Sequence, residues 1–594
     1  MALGVLLTVY VAVAALNYSV VQSYLGTAAS RYFSREWGCE LHIGSLHAMP
    51  WDHLILDDVL LVAPRGDTIF RGEALRVRFR RFPFSNGELS SRLDLDRVYL
   101  KNAYYHFEKY TDEEYGGEGG INLQFIIDYY SSRSNDEDDD TPGKPFAVNV
   151  RSLTLDNVHY KMDLPDYGEV WESPGVDIMH MEYLDIHGRF RNVHVVGPDV
   201  TVKIVKLSTT ERSGFRVENV TGDVHVSPQD ITVRGLDVET AHSHIMADTR
   251  MTYPDWMGDY VHVVQHEALV KEGTTVNLSD VAYWAPVLWG NDVQLRCDGS
   301  FGGKIDSIVV DRIWVGYGGA TTAEVTARIM GLPDIEQTVF EVERLDVRGE
   351  ESDMRRLEEG LAAKLGVDIV EQLRRYEYLD LHVQGQGGIW SDAAASVDLT
   401  CSLGNLRADI ANRVGVRGRR LTVEANSDGL GLAPLGSEWL THSGIALSAE
   451  AFLPNKINSV ADIDGTARVE LTNSVVRGNR LMPIDIDIKL AGGHADVEAT
   501  STDSLLQFDL ACAADLGDSL NRYSADLRVD RLEGAAFKLT SEKYSTIGTR
   551  IAATATGNDI DALSGSVVAR NTHVGPLHLH EVRLDVDADG QHKT

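Results

Sequence analysis

The sequence is poor in thiols, in cations and in long apolar runs, and each shortage removes a class of protein. It holds four cysteines, Cys39, Cys297, Cys401 and Cys512. No two stand at the C-x-x-C spacing of a metal clip or redox pair. They form two disulfides in an oxidising compartment or none, and each is expected to behave as a small buried apolar side chain. Lysine and arginine number 55 against 89 aspartates and glutamates, a formal charge of −34. Such a surface is repelled by phosphate backbones and anionic headgroups, which excludes nucleic acid as a partner. At 43% hydrophobic and 24% charged residues the chain is nevertheless globular rather than disordered.

One stretch alone is apolar enough to span a bilayer. Met1–Leu16, MALGVLLTVYVAVAAL, carries no charge, and the first basic residue is Arg31. A spanning helix needs about 20 residues, reached if Val20, Val21, Tyr24 and Leu25 extend the run. The expected anchor is 1–25, built on Leu3, Val5, Leu6, Leu7, Val9, Val11, Val13 and Leu16. Cleavage after Ala12-Val13-Ala14 is the competing reading, but that site lies early and lacks a positive n-region. No basic flank fixes the orientation.

Catalytic signatures are missing too. DGSFGGKID has Asp298 where a phosphate loop needs its first glycine and Ile305 where it needs Ser or Thr, and GQGGIW places Trp390 at the third glycine of a dinucleotide fingerprint. There is no GxSxG elbow and no HExxH helix. His42, His47 and His53, the pair His242/His244 and the pair His578/His580 lack a carboxylate or thiol at the usual ligand spacing. Neither enzyme, cofactor nor metal is expected.

What is present is a strand pattern. After an amphipathic helix (Leu25, Ala28, Ala29, Tyr32, Phe33, Trp37) that stops at Gly38, and that either lies on the membrane or plugs the start of the sheet, alternating segments follow. In LTLDNVHY the apolar residues Leu153, Leu155, Val158 and Tyr160 fall at i, i+2, i+5 and i+7. The same spacing gives Ile231, Val233, Leu236 and Val238; Phe340, Val342, Leu345 and Val347; and Leu577–Leu584. Leu93–Leu100, with Leu93 and Leu95, and Leu54–Leu61 fit less cleanly. Strict alternation puts i+2 and i+5 on opposite faces. They share a face only if the strand bends between them through an extra residue, and the polar dipeptides there (Asp156-Asn157, Arg234-Gly235, Glu343-Arg344) suit an outward corner.

A larger unit repeats as well. Ser279–Gly303 reads as a Ser-capped helix followed by Val293, Leu295, Cys297 and Gly299. Ser352–Gly388 repeats it with a stripe of Met354, Leu357, Leu361, Leu365, Ile369 and Leu373, then Leu379, Leu381, Val383 and Gly385. Such repetition marks an elongated array. Ile121–Tyr130 is a short helix or strand, and 131–145 an acidic linker without the spacing of a calcium loop. The expected fold is mainly β: an elongated repeating β-groove, a bent antiparallel sheet with an apolar concave face, after an N-terminal transmembrane helix. The expected segments are 1–25, 26–130, 131–145 and 146–594.

The run from VVQSYL through AASRYFSREWGCELHIGSLHAMPWDHLILDDVLLVAPRGDTIF resembles the start of the translocation and assembly module subunit TamB family, particularly its Bacteroidota versions, with AsmA-like character. GGINLQFIID, the acidic linker before Lys144–Phe146, KLSTTERSGFRVENVTGDVHVS and GNDIDALSGSVVARN extend the resemblance along the chain. It implies an inner-membrane anchor, a body in the periplasm, phospholipid acyl chains as cargo, and an outer-membrane β-barrel partner of the Omp85 type reached through a C-terminal region. The chain stops inside a repeat, as a fragment would. Three readings follow: a lipid conduit, a scaffold for outer-membrane β-barrel proteins and autotransporters, and a closed β-solenoid with a dry core. Deleting 1–25 is expected to release the protein from membranes; retention on carbonate-washed membranes would place the attachment elsewhere.

Overall fold

The computed structural model describes residues 18–49, 52–81, 84–85, 88–89, 92–110, 120–134, 147–165, 175–254, 260–334, 336–357, 377–388, 391–432, 439–457, 459–516, 520–558 and 563–586. The apolar run with its anchor residues, the acidic stretch from Asn135 onward, and Leu361, Leu365, Ile369 and Leu373 lie outside them. Among the described residues no helix is long and apolar enough to cross a membrane. The chain forms two compact units, Met1–Ile305 and Asp306–Thr594.

Strands dominate both, and helices are few, as expected. In the first unit twelve main strands, from Glu40–Met49 to Gln294–Lys304, pair successively. All these pairings are antiparallel except one: Arg92–Glu108 and Ala147–Asp163 run parallel, with Val98 opposite Leu153 and Leu100 opposite Leu155. A parallel pair needs a long crossover, and residues 109–146, which include the helix Gln124–Ser134, provide it. That helix covers Gln124–Tyr130 of the Ile121–Tyr130 segment, while Ile121 forms a β-bridge with Lys109, and it takes the first residues of the expected linker. In the second unit sixteen main strands, Ser307–Tyr317 to Leu577–Val586, form an antiparallel meander.

The bends occur where the broken alternation requires them. In Ala147–Asp163 the register against Glu182–Val196 slips between Leu155 and Val158, and Asn157 turns left-handed at φ 57°. In Asp230–Thr240 the slip lies between Val233 and Leu236, at Gly235 with φ 60°. Val339–Glu350 slips between Val342 and Leu345 against Tyr378–Gly388. Asn102 (φ 45°) and Asp58 (φ 53°) mark the corners of Arg92–Glu108 and His53–Val62. Asn, Asp and Gly tolerate this conformation best, so the polar corner residues serve the backbone as well as the solvent. The corners are also tied together: Asn157 Nδ2 donates to Asn102 Oδ1 at 2.7 Å, Asn102 Nδ2 donates to Glu73, and Lys101 Nζ donates to Glu73 Oε1 at 2.6 Å. Leu577–Val586 departs from the expectation. Its register is unbroken, and Leu577, Leu579, Val582 and Leu584 are all exposed, because among the described residues this strand is paired on one side only.

The helix Ser19–Trp37 plugs the start of the sheet. It ends at Gly38, left-handed at φ 67°, whose N–H donates to Ser34 O. Along the free edge of Glu40–Met49, Ile43 N donates to Ser30 Oγ at 2.8 Å and Leu41 N donates to Ser34 Oγ at 2.8 Å. Gly26 permits the approach, since a Cβ there would meet Ile43 O at 2.6 Å. Two of the expected stripe positions, Ala28 and Tyr32, point to solvent instead, because the edge selects the small residues Gly26, Ser30 and Ser34.

The Ser-Asp repeat has a different purpose from the expected cap. The helix Leu278–Val281 is capped by Asn277, which accepts from Ser279 N; the strand carries through to Asn277 and leaves Ser279 inside the first turn. The neighbouring aspartate is the working residue. Asp280 Oδ2 accepts from Thr240 Oγ1 and Ser243 Oγ, each at 2.6 Å, clasping the turn between Asp230–Thr240 and His244–Thr252. In the second unit Asp353, 2% exposed, accepts from the N–H groups of Gly319 (3.0 Å), Ala320 (3.0 Å) and Thr321 (3.1 Å), clasping the turn after Ser307–Tyr317. Burial pushes the Asp353 carboxyl up, but the backbone N–H groups of Ala320, Gly319 and Thr321 outweigh it and hold the group below the usual carboxylate range. A lowered folded pKa gives stability that is present above the unfolded value of about 3.9 and is lost as pH falls through the folded one. Asp353→Ala is expected to destabilise the second unit by about 2–4 kcal/mol at pH 7, with the gap to wild type closing below pH 4. Chemical denaturation at both pH values measures it.

Candidate functional site: an open apolar face

Antiparallel pairing aligns side chains of one face into rows that cross the sheet. In the second unit one row runs Ile313, Val325, Leu345, Val383, Val397 and Ala408. It continues through Ala425, Leu447, Val469, Ile486 and Ala499, then Leu510, Leu527, Ile551, Ala569 and Val582. The adjacent row passes from Val310 through Ala327, Val342, Gly385, Ala395 and Ile410 to Ile488, Cys512, Val567 and Leu584. Neither row contains a charged residue. At about 4.8 Å per strand they extend roughly 70 Å.

Among the described residues no second layer covers this face. Among the described residues of the second unit only Ala327, Leu379, Cys401, Leu481, Ala499 and Phe537 are buried apolar residues. Ile410 (38% exposed), Ile488 (36%) and Val567 (37%) stand open along the second row, and Phe340 (38%) stands open beside Val342. A closed dry core does not describe this unit. Over Ala495, Val497, Cys512, Ala525 and Ala553 the face dips into a cleft of about 270 Å³. The other face is polar and carries ion pairs, among them Arg407–Asp398 at 2.7 Å, Arg420–Glu450 at 2.9 Å and Arg550–Asp526 at 3.1 Å.

The groove residues singled out from the sequence each stand opposite an apolar residue of a neighbouring strand. Phe340, Val342, Leu345 and Val347 oppose Ile329, Ala327, Val325 and Ala323, and Leu381 and Val383 oppose Leu399 and Val397. In the first unit Leu93 and Leu95 oppose Val148 and Val150, while Leu153, Leu155, Val158 and Tyr160 oppose Val98, Leu100, Ala103 and Tyr105. Ile231 and Val233 oppose Val226 and Val224; Leu236 and Val238 oppose Ala247 and Ile245. Leu95 and Val158 are buried rather than open; Val158 follows the corner at Asn157. Tyr105, Tyr160 and Tyr183 stack in a row with centroids 5.8 and 6.4 Å apart, and burial pushes their hydroxyl pKa values up. The rows from Ala393 onward escaped notice in the sequence because alanine supplies much of them; counting alanine as apolar in AAASVDLTC and HADVEATST recovers the alternation.

Comparisons with known protein families, with curated proteins and with solved structures find no match.

Other chemistry is sparse. All four cysteines are free thiols, two of them, Cys39 and Cys401, buried. His242 meets Asp280 at 3.3 Å. Across one strand pair Asp237, Glu239 and His244 bring their ligand atoms within 4.8 Å of one another, a grouping that the register creates and that linear spacing hid. His244 Nε2 already pairs with Asp237 Oδ1 at 3.1 Å, and all three residues are at least partly open to water.

The contrast between open face and rim sets a test. Phe537 is 2% exposed in a turn held by Arg477 Nη1 donating to Phe537 O at 3.1 Å and Asn479 Nδ2 donating to Ala536 O at 2.8 Å. Phe537→Ala is expected to cost about 3–5 kcal/mol and Ile488→Ala about 1 kcal/mol. Equal costs in urea melts would mean that the face is covered.

Proposed function

We propose that this chain is a TamB-like bridge protein, anchored in the inner membrane with its body in the periplasm, that carries phospholipid acyl chains along the open apolar face toward the outer membrane. One observation carries the reading: two uncharged apolar rows that run unbroken across sixteen strands and stay partly open to solvent among the described residues. Exposed apolar area of this extent marks an interaction surface. Moving an acyl chain through water forfeits about 0.8 kcal/mol per CH₂, so roughly fifteen methylenes face a barrier of about 12 kcal/mol. A continuous apolar track removes most of it and needs no reactive group, which agrees with a sequence that offers none. The broken alternation supports the same reading, since each bend returns the apolar residues to one side. The full groove shape, the anchor and the family membership belong to the proposal.

A second reading rests on Leu577–Val586. Paired on one side among the described residues, it offers backbone N–H and C=O groups to a client strand, as a scaffold for outer-membrane β-barrel proteins would.

A photo-crosslinking residue at Val342 is expected to capture phospholipid in cells, while one at Glu341 on the opposite face is not. Val342→Glu should leave the protein folded, because the charge stays hydrated on an open face, and should abolish capture at Leu345. Equal capture at Val342 and Glu341, or unfolding of Val342→Glu, would overturn the conduit. Crosslinks from Leu579 to unfolded outer-membrane proteins, with none to lipid at Val342, would favour the scaffold.

A further inference from the structure

The polar face of the first unit gathers cations in a chain whose net charge is −34. Between Glu182–Val196 and Asp199–Glu211, Arg189 stands opposite Lys206 and Arg191 opposite Lys203. Like charges directly across a strand pair repel, and two consecutive pairs of this kind are a local cost that the sequence maintains. Lys203 has a partner in Asp223 at 3.4 Å. Among the described residues Arg189, Arg191 and Lys206 have no carboxylate partner.

Arg189 and Lys206 line a cleft of about 420 Å³ with Tyr99, Thr154, His187 and Ser208. Its one carboxylate, Asp156, is occupied: it accepts from the Tyr99 hydroxyl at 2.7 Å and meets His187 Nδ1 at 3.2 Å. Two unneutralised cations beside two aliphatic hydroxyls form a donor set suited to a compact oxyanion: a guanidinium that can engage two oxygens at once, an ammonium point charge, and O–H donors for the remaining lone pairs. Thr154, opposite Arg189, alternates along its strand with Leu153 and Leu155, and Leu155 also borders the cleft.

We propose that this cleft binds a phosphate group, with Arg189 and Lys206 as its principal ligands, and that the bound anion relieves their mutual repulsion. The chemistry is shared by inorganic phosphate and by the phosphate of a lipid headgroup. The inference does not rest on the conduit: the residues it uses belong to the first unit, and the apolar rows were traced in the second.

The test uses the full chain and Arg189→Gln/Lys206→Gln. In phosphate-free buffer the double variant should melt at or above the wild-type temperature, since it removes a like-charge pair. Sodium phosphate, against sodium chloride of matched ionic strength, should raise the wild-type melting temperature by several degrees and leave the variant unmoved; that result identifies free phosphate as a source. If sodium phosphate has no effect but wild type binds phosphatidic acid vesicles at least tenfold more tightly than the variant does, with phosphatidylcholine vesicles bound equally, the source is a headgroup. A variant that melts below wild type in phosphate-free buffer would show a structural role and overturn the proposal. So would wild type and variant behaving alike with both probes.

Discussion

The constraint on which this architecture depends is the two-residue period of a β-strand. A single sheet that keeps one face apolar through a bend must not lose phase there, because a one-residue slip would send every following apolar side chain to the opposite face. The chain meets the constraint by inserting a residue at each corner and making that residue Asn, Asp or Gly where the backbone turns left-handed, as at Asn157, Asn102 and Gly235. Side-chain bonds between neighbouring corners hold the bends in line, so that Leu153, Leu155, Val158 and Tyr160 count as one set despite the break in spacing.

A sheet with one face uncovered among the described residues lacks the second layer that stabilises most domains. Its cohesion comes from ladder hydrogen bonds, cross-strand pairs and closure of its weak points. The buried aspartates are part of that closure. Asp280 and Asp353 each hang from a short helix and grip a hairpin turn that precedes them in sequence, turning independent hairpins into a linked rim. Phe537 and its turn do the same through apolar burial. The few buried apolar residues of the second unit, Leu481 and Phe537 among them, lie partly at such closures rather than in a central core.

Much of this was legible in the residues. The i, i+2, i+5, i+7 spacing contained both the shared face and the bend, and Gly38 contained the end of the first helix. Other features were illegible for physical reasons. The parallel pairing of Arg92–Glu108 with Ala147–Asp163 depends on which side of the strand a long connection returns, which local pattern does not encode. The Asp280 and Asp353 clasps act across a hairpin, so their partners are distant in sequence. The cation pairs Arg189/Lys206 and Arg191/Lys203 and the Asp237/Glu239/His244 grouping exist only once the register is known. Leu577–Val586 shows the converse: the spacing is there, but a strand with a neighbour on one side only leaves its apolar residues in water.

The two outermost described strands are treated unequally. On Glu40–Met49 the hydroxyls of Ser30 and Ser34 occupy backbone donors that another strand would need, whereas among the described residues Leu577–Val586 has no such cover. In the antiparallel meander of the second unit, change in extent is restricted to steps of one hairpin. Gain or loss of a single strand would reverse the chain's heading and put every later turn on the wrong rim; a pair of strands preserves both heading and facing. Span would thus vary in increments of about 9.6 Å, a coarse ruler by which duplication or deletion of short coding segments could match a chain of this kind to the distance it has to cover without redesigning either face.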